Sequence, residues 1–323
     1  MAKGILVKAN GGPEVLEYCD VPVARPREGQ VLIRQNAIGV NFIDVYYRSG
    51  LYPSQLPFVP GSEGAGVVLE VGPGVSHFKK GDRVAYGMSS GAYAEERVVD
   101  EKILVHIPEG ISDEIAASMM LKGLTAQYLL RRTFPVKPGH TILFHAAAGG
   151  VGLIACQWAK HLGATVIGTV GSQDKVQLAK DNGCDHVILY RDEDFVARVN
   201  EITGGKRCDV VYDGVGKSTF PGSLDCLKPF GMFVSFGNAS GPVDAFNLGL
   251  LAQKGSLYAT RPSLGAHVAD RKVLDEMAAD LFSVVKSGAV KIPLHARYKL
   301  SEARQAHEAL ESRQTTGAMV LLP

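Results

Sequence analysis

Thr141-Ile142-Leu143-Phe144-His145-Ala146-Ala147-Ala148-Gly149-Gly150-Val151-Gly152 is the stretch whose reading decides the fold. Thr141–Ala146 reads as a buried strand, the small residues after it as a tight turn, and Val151–Leu162 as an apolar-faced helix ended by Gly163. The pattern then repeats. Thr165–Val170 is a second strand, Asp174–Asn182 a second helix ended by Gly183, and His186–Leu189 a third strand. A helix-like stretch, Asp194–Ile202, leads to strands at Asp209–Asp213, Gly231–Phe236 and Ser256–Thr260. Six strands with intervening helices are the signature of an α/β fold built on a doubly wound, six-stranded parallel sheet.

The flanking sequence has a different texture. Upstream, short β-like runs (Gln30–Ile38, Gly64–Val71, Arg83–Tyr86) are broken by turns such as Gly72-Pro73-Gly74 and Lys80-Gly81-Asp82. Asp113–Arg132 reads as helical, with Ser112 and Asp113 as candidate caps. Downstream come a helix at Asp270–Ser287, a short β segment, a helix at Ser301–Ser312 and an apolar strand at Ala318–Leu322. The economical division is a nucleotide-binding domain over 123–265, inserted into a second, mainly β domain made from 1–122 plus 266–323.

The turn is an A-x-x-G-x-x-G variant of the dinucleotide-binding motif, with Ala146 in place of the first glycine. Small residues let backbone N–H groups approach a pyrophosphate, and the helix N-terminus adds partial positive charge. The end of the second strand discriminates between the nicotinamide cofactors. A site selective for NAD carries Asp or Glu there to bind the ribose 2′-hydroxyl. Here the strand runs into Val170-Gly171-Ser172-Gln173-Asp174-Lys175, with no acid directly after it. Ser172 can donate to a 2′-phosphate and Lys175 can neutralise it, so the expected cofactor is NADPH. Asp174, already at the start of the helix, reads as a residue flanking the turn.

Composition narrows the field further. The 323 residues carry 34 Lys+Arg against 33 Asp+Glu, a formal charge of +1 that gives no general attraction to nucleic acid. With 46% hydrophobic and 21% charged residues, the chain falls outside the disordered class and is long enough for about two domains. Gly is 37 of 323, against the usual ~7%. Tight turns and close backbone approaches account for such an excess. The cysteines (Cys19, Cys156, Cys184, Cys208, Cys226) form no C-x-x-C pair, which argues against a zinc ribbon or a thioredoxin-like redox site. Scattered and odd in number, they fit reduced thiols and a cytoplasmic protein. The N-terminal Met-Ala-Lys-Gly-Ile-Leu-Val-Lys lacks a long apolar stretch, so no secretory signal is expected. Ile142–Trp158 is the most apolar stretch, but its His145, Gln157 and glycines make it a poor membrane span.

Several ordered motifs carry a family resemblance. Gly139-His140 through Gly149-Gly150-Val151-Gly152 to Gln157 resembles the quinone oxidoreductase (zeta-crystallin) signature of the medium-chain dehydrogenase/reductase superfamily. Asn41-Phe42-Ile43-Asp44, Arg48-Ser49-Gly50-Leu51-Tyr52-Pro53 and Pro60-Gly61-Ser62-Glu63-Gly64-Ala65-Gly66 resemble that family's N-terminal blocks. The likeness extends to Glu311-Ser312-Arg313, and is greatest to the bacterial NADPH:quinone reductases. It implies a Rossmann sheet inserted in a GroES-like catalytic domain, with NADPH across the cleft between the domains. It also implies electron transfer from NADPH to a quinone. Zinc-dependent relatives carry Cys where this chain has Asn41 and His where it has Ser62, and the four-cysteine lobe is missing. A catalytic zinc needs three protein ligands, so neither a catalytic nor a structural zinc is expected. Without a Lewis acid to hold an alkoxide, reduction of an already electrophilic acceptor is the expected direction.

The resemblance also assigns residues. Asn41 is placed beside the nicotinamide ribose and the acceptor, Tyr46 and Tyr52 line the acceptor pocket, and Thr125 sits near the nicotinamide. Arg261 approaches the acceptor or the nicotinamide. Gly149, Gly150, Val151 and Gly152 meet the pyrophosphate. Gly171, Ser172, Lys175 and Tyr190 surround the adenosine and its 2′-phosphate. Phe236, Gly237 and Asn238 follow the fifth strand, and Arg313 reaches back to a cofactor phosphate. Ordinary packing is the alternative for the tyrosines, Thr125 and Asn41, as a solvated helix position is for Lys175 and Arg313. His145 reads as a buried strand-end histidine. Hydride and one-electron transfer both remain open. Two further readings keep the fold: an NADPH-dependent reductase of α,β-unsaturated aldehydes or ketones, and a non-catalytic, crystallin-like NADPH-binding protein. RNA binding, credited to some relatives, has no basic tract to support it here. The family habit of pairing edge strands points to a homodimer through residues 256–260.

Overall fold

The computed structural model describes residues 1–312 and 315–323. The chain forms two compact units. One comprises Met1–Leu124, Val268–Lys286 and Ile292–Pro323, the other Thr125–His267 with Ser287–Lys291. Ser287–Lys291 departs from the division expected at the sequence level, which kept it with the chain end. Its anchor is the Gln157 side chain, which donates to the Lys291 carbonyl (3.0 Å) and accepts from its N–H (2.9 Å).

The second unit contains the doubly wound sheet. Its strands are Thr141–Phe144, Thr165–Val170, His186–Leu189, Cys208–Asp213, Leu227–Ser235 and Tyr258–Thr260. All neighbours are parallel. Numbered in chain order, they lie 3-2-1-4-5-6, so the direction of winding reverses beside the first strand, where such sheets take their ligands. Leu143, Ile167, Ile188 and Val211 are fully buried between sheet and helices, which is why these segments read as continuous apolar runs. The fifth strand starts earlier than the expected Gly231, because Leu227 pairs with Cys208 ahead of a register shift. The sixth is shorter than expected, since Ser256 has a left-handed backbone (φ 54°) that no strand accommodates.

The helix expected over Asp113–Arg132 is α-helical only from Asp113 to Tyr128, and closes in a π turn, Leu129–Thr133. Such a turn alters the backbone bonding at the helix end. The buried Tyr212 hydroxyl, from the fourth strand, donates to the Leu129 carbonyl at 3.1 Å.

In the first unit a seven-stranded sheet is centred on Gln30–Gly39, which pairs antiparallel with Glu63–Val71, Glu96–Asp100 and Ala318–Leu322. The last strand of the chain thereby joins the N-terminal sheet. Along Gln30–Gly39, Val31, Ile33 and Ala37 alternate inward, and the same alternation carries Gln35 into the core. Gln35 is satisfied there by the Tyr86 hydroxyl (2.5 Å) and the Ala94 carbonyl (2.8 Å). The pair Ala2–Leu6 with Glu17–Val21, the strand Glu96–Asp100 and the helix Phe42–Ser49 were not anticipated from the sequence. The helix did leave a signal. Asn41 and Asp44 occupy the N-cap and third positions of a capping box, and Gly50 closes the helix with a φ of 82°. Among the described residues, no helix is long and apolar enough to cross a membrane.

Tyr212→Phe removes the donor to a buried carbonyl of the π turn. Because the Phe134 N–H still donates to that carbonyl, the expected loss is about 0.5–1.5 kcal/mol of unfolding free energy, read from urea denaturation.

Candidate active site

In the first unit the site grows from the capping box. Asn41 lies two residues beyond the central strand and caps the helix Phe42–Ser49, and the Asp44 carboxylate accepts its backbone N–H at 2.9 Å. The buried Asn41 side chain donates through Nδ2 to Glu63 Oε1 at 2.9 Å. Glu63, 0% exposed, also accepts from Leu121 N–H (2.7 Å) and Lys122 Nζ (2.6 Å). Ser62, likewise buried, donates to Asp44 Oδ1 at 2.5 Å. Burial raises the Asp44 acid to about 7, against the opposing bonds from Ser62 and Asn41. Tyr46 and Tyr52 meet edge to face with ring centroids 5.2 Å apart, and the Tyr52 N–H donates to the Tyr46 carbonyl at 3.0 Å. The two expected pocket tyrosines are thus brought together, with Tyr47 packed against Tyr52.

This donor set does not fit zinc. Asn41 and Ser62 offer an amide and a hydroxyl, each hydrogen-bonded to a carboxylate, and neither is the thiolate or imidazole that zinc takes. Among the described residues no cluster of three or more His, Cys, Asp or Glu could hold a metal.

In the second unit, the helix Gly150–His161 follows the first strand after the turn 145–149, with Gly149 at its N-cap. Gly149 has no side chain to cap the first turn, so the first N–H groups are available to an anion. Gly152 cannot be larger, because a Cβ there would lie 2.4 Å from the Ala146 carbonyl oxygen. Ala146, where relatives of this turn carry glycine, has a φ of 56°, the left-handed conformation glycine favours.

At the end of the second strand, a Cβ on Gly171 would meet the Tyr190 hydroxyl at 3.3 Å and Arg191 Nε at 3.5 Å. Lys175 is half-buried on the following helix. Burial lowers its pKa, Asp174 opposes this, and Arg191 lowers it further. Asp174 is turned toward Ser172, whose hydrogen bond holds its carboxyl below the usual range. A tyrosine and an arginine therefore meet at Gly171, and Lys175 feels the charge of that arginine. Arg191 was not among the expected site residues; its place beside Tyr190 at a strand end was the available signal.

After the fifth strand, Arg261 donates to Ser235 Oγ (3.0 Å) and the Gly237 carbonyl (3.1 Å), and the Asn238 amide oxygen accepts from it at 3.2 Å. Phe236 packs on Phe144 with centroids 5.6 Å apart. Thr125 is hydrogen-bonded to Tyr128, which stacks flat on His267 (4.6 Å, 12°) and feels the charge of Arg261. Tyr128 and His267 are further additions to the expected set. His145 is fully buried between Thr169 Oγ1 and Ser223 Oγ, each at 3.0 Å, and burial lowers its pKa. Arg313 lies outside the described residues.

A GroES-like unit and a dinucleotide-binding sheet in one chain define a nicotinamide-dependent dehydrogenase or reductase. Residues 27–109 match the family described as alcohol dehydrogenase GroES-like domain, and residues 150–280 the one described as zinc-binding dehydrogenase. The chain is 56% identical to the quinone oxidoreductase of Pseudomonas aeruginosa, over 100% of both chains. It is 45% identical to a 2-haloacrylate reductase of a Burkholderia species, over 100% of this chain and 99% of that one. The crystal structure of Escherichia coli quinone oxidoreductase complexed with NADPH superposes with a TM-score of 0.98 at 51% identity, covering 100% of each chain. The chain belongs to the quinone oxidoreductase family of the medium-chain dehydrogenases/reductases.

Lys122→Met keeps the side-chain stem but strands the Glu63 carboxylate without its cation. The expected cost is about 3–5 kcal/mol, seen as a lower urea midpoint.

Proposed function

We propose that the protein is an NADPH:quinone oxidoreductase that works without zinc. Full-length identity to quinone oxidoreductases supports the reaction. The observation that carries the choice of cofactor is that Arg191 lies against Gly171 and close enough to Lys175 to lower its pKa, with no acid directly after the second strand. A 2′-phosphate bound here would set its negative charge against both cations. The first-turn N–H groups at Gly150, Val151 and Gly152 bind the pyrophosphate beside Gly149, whose own N–H donates to the Ala146 carbonyl. Ser172, Lys175, Tyr190 and Arg191 bind the 2′-phosphate end. Thr125, Phe236, Gly237, Asn238 and Arg261 shape the nicotinamide end, and Asn41 lies by the acceptor. Arg313 is retained as a further phosphate partner on the resemblance alone.

When bound, NADPH supplies the electrons for reducing the acceptor. The chain contributes position and a dry setting: Tyr46 and Tyr52 offer flat faces and hydroxyls to a planar conjugated acceptor. A quinone is already electrophilic, so it needs no metal to polarise it. The kinship with a 2-haloacrylate reductase favours a second reading, reduction of a conjugated alkene on the same site.

The protein acts as a homodimer through the edge strand Tyr258–Thr260. Tyr258 is 58% exposed there, and Phe230 (69%) and Leu248 (71%) are exposed apolar side chains of the same unit. A reducing cytoplasmic setting agrees with five free cysteines.

Mixing the purified protein with NADPH and 1,4-benzoquinone, a naphthoquinone or an alkenal tests the assignment. NADPH oxidation by the quinones is expected. Turnover of the alkenal alone would select the second reading, and binding without turnover would select a non-catalytic role. Lys175→Glu is expected to weaken NADPH binding by about tenfold or more and leave NADH nearly unchanged, by fluorescence titration. Equal losses for the two cofactors would refute the 2′-phosphate contact.

A further inference from the structure

Asp44 is fully buried, and the groups around it can each be given a hydrogen-bond direction. The buried Arg48 guanidinium donates from Nε to the Gly11 carbonyl (3.1 Å) and from its two terminal nitrogens to Glu311 (2.9 and 2.8 Å). One of those nitrogens also lies 3.1 Å from His307 Nδ1. A guanidinium has donors only, so Nδ1 accepts and the ring proton stays on Nε2. His307 Nε2, 2.9 Å from the Tyr93 hydroxyl oxygen, therefore donates to it. The Tyr93 proton is then directed to Asp44 Oδ2 at 3.3 Å. The Asn41 N–H takes the other lone pair of Oδ2 at 2.9 Å. Among the described residues, Asp44 Oδ1 has one hydrogen-bond partner, Ser62 Oγ at 2.5 Å. Any proton Asp44 carries is thus confined to Oδ1, on the line to Ser62.

We propose that Asp44 and Ser62 form a proton-delivering couple for the acceptor: Asp44 Oδ1 passes its proton to Ser62 Oγ while the Ser62 hydroxyl passes its own outward. One O–H bond breaks at Asp44 as one forms at Ser62, and one breaks at Ser62 as one forms on the acceptor. Asp44 is left as a carboxylate. The electrons and the other hydrogen come from NADPH, so the couple supplies the single proton that completes a two-electron reduction. Reversal of the same hop through Ser62 recharges Asp44 from solvent between turnovers. Ser62 is the group that touches the acceptor, and Asp44 acts through it. The inference rests on the reading that the acceptor lies beside Asn41.

The surroundings suit this task. Burial favours the neutral Asp44 acid, which is opposed by the bonds from Ser62 and Asn41, raised further by Glu63 and offset by Lys122. Burial keeps the Tyr93 hydroxyl protonated and lowers His307 to about 3, so the Arg48–His307–Tyr93 chain stays fixed in direction across neutral pH. Its far end, Glu311, is bound by Arg48.

Infrared spectroscopy of the full-length protein without cofactor tests the couple directly. A carboxylic acid C=O band is expected near pH 5.5 and gone by about pH 9. It should be absent in Asp44→Asn and displaced in Ser62→Ala. In single turnovers with NADPH and 1,4-benzoquinone, Ser62→Ala is expected to lower the rate by about tenfold or more and to abolish its fall above neutral pH. NADPH affinity should not change, and Ser62→Thr should restore the rate. The absence of the band, or a Ser62→Ala protein with the native rate and pH profile, would overturn the proposal. A native protein inert to quinones that still shows the band removes the quinone reading instead. The Ser62→Ala comparison is then made with 2-chloroacrylate, where a native rate and pH profile would equally overturn the couple.

Discussion

Glu63 is a carboxylate with no contact to water, and a charge so placed persists only when its oxygens are matched. Oε1 takes both the Asn41 amide and the Lys122 ammonium, and Oε2 takes the Leu121 N–H. One side chain thus fixes three segments: the strand it opens, the cap of the helix Phe42–Ser49, and the middle of the helix Asp113–Tyr128. The orientation of Asn41 follows, because its Nδ2 is spent on Glu63. Behind it, Asp44 and Ser62 are set by the same cap. The polar centre of the first unit is therefore one connected arrangement.

A scaffold whose relatives are described as zinc-binding has here been rebuilt around hydrogen bonds. A metal tolerates several soft ligands arranged about a point, whereas carboxylates and amides need pairing atom by atom. Ser62 and Asn41 are small and polar, and each reaches one carboxylate. The chemistry available changes with them, from polarising an oxygen to holding and moving a proton.

The doubly wound sheet was legible because its strands are buried on both faces, so Thr165–Val170 and His186–Leu189 stand out as apolar runs closed by glycine-ended helices. The small-residue turn after the first strand was legible because only such residues fit where Gly152 approaches the Ala146 carbonyl. The first unit was harder. The helix Phe42–Ser49 has an exposed end at Ser49, and its apolar positions do not repeat over enough turns to show a period. The ends of the fifth and sixth strands were set by a register shift and by the left-handed Ser256, neither of which leaves a mark in composition. Arg191 and Tyr128 were missed because their importance lies in what they meet across the fold. No spacing rule joins Gly171 to Arg191, or Tyr128 to His267.

The short stretch Ser287–Lys291 gives the chain an unusual thread. Because it belongs with Thr125–His267, the backbone passes from one unit to the other at Leu124, His267, Lys286 and Lys291. A nucleotide unit entered and left once could be exchanged between genes as one uninterrupted segment. Here an exchange of residues 125–267 alone separates Gln157 from the Lys291 backbone that its amide holds on both sides. A transplanted nucleotide unit therefore keeps this anchor only if residues 287–291 travel with it.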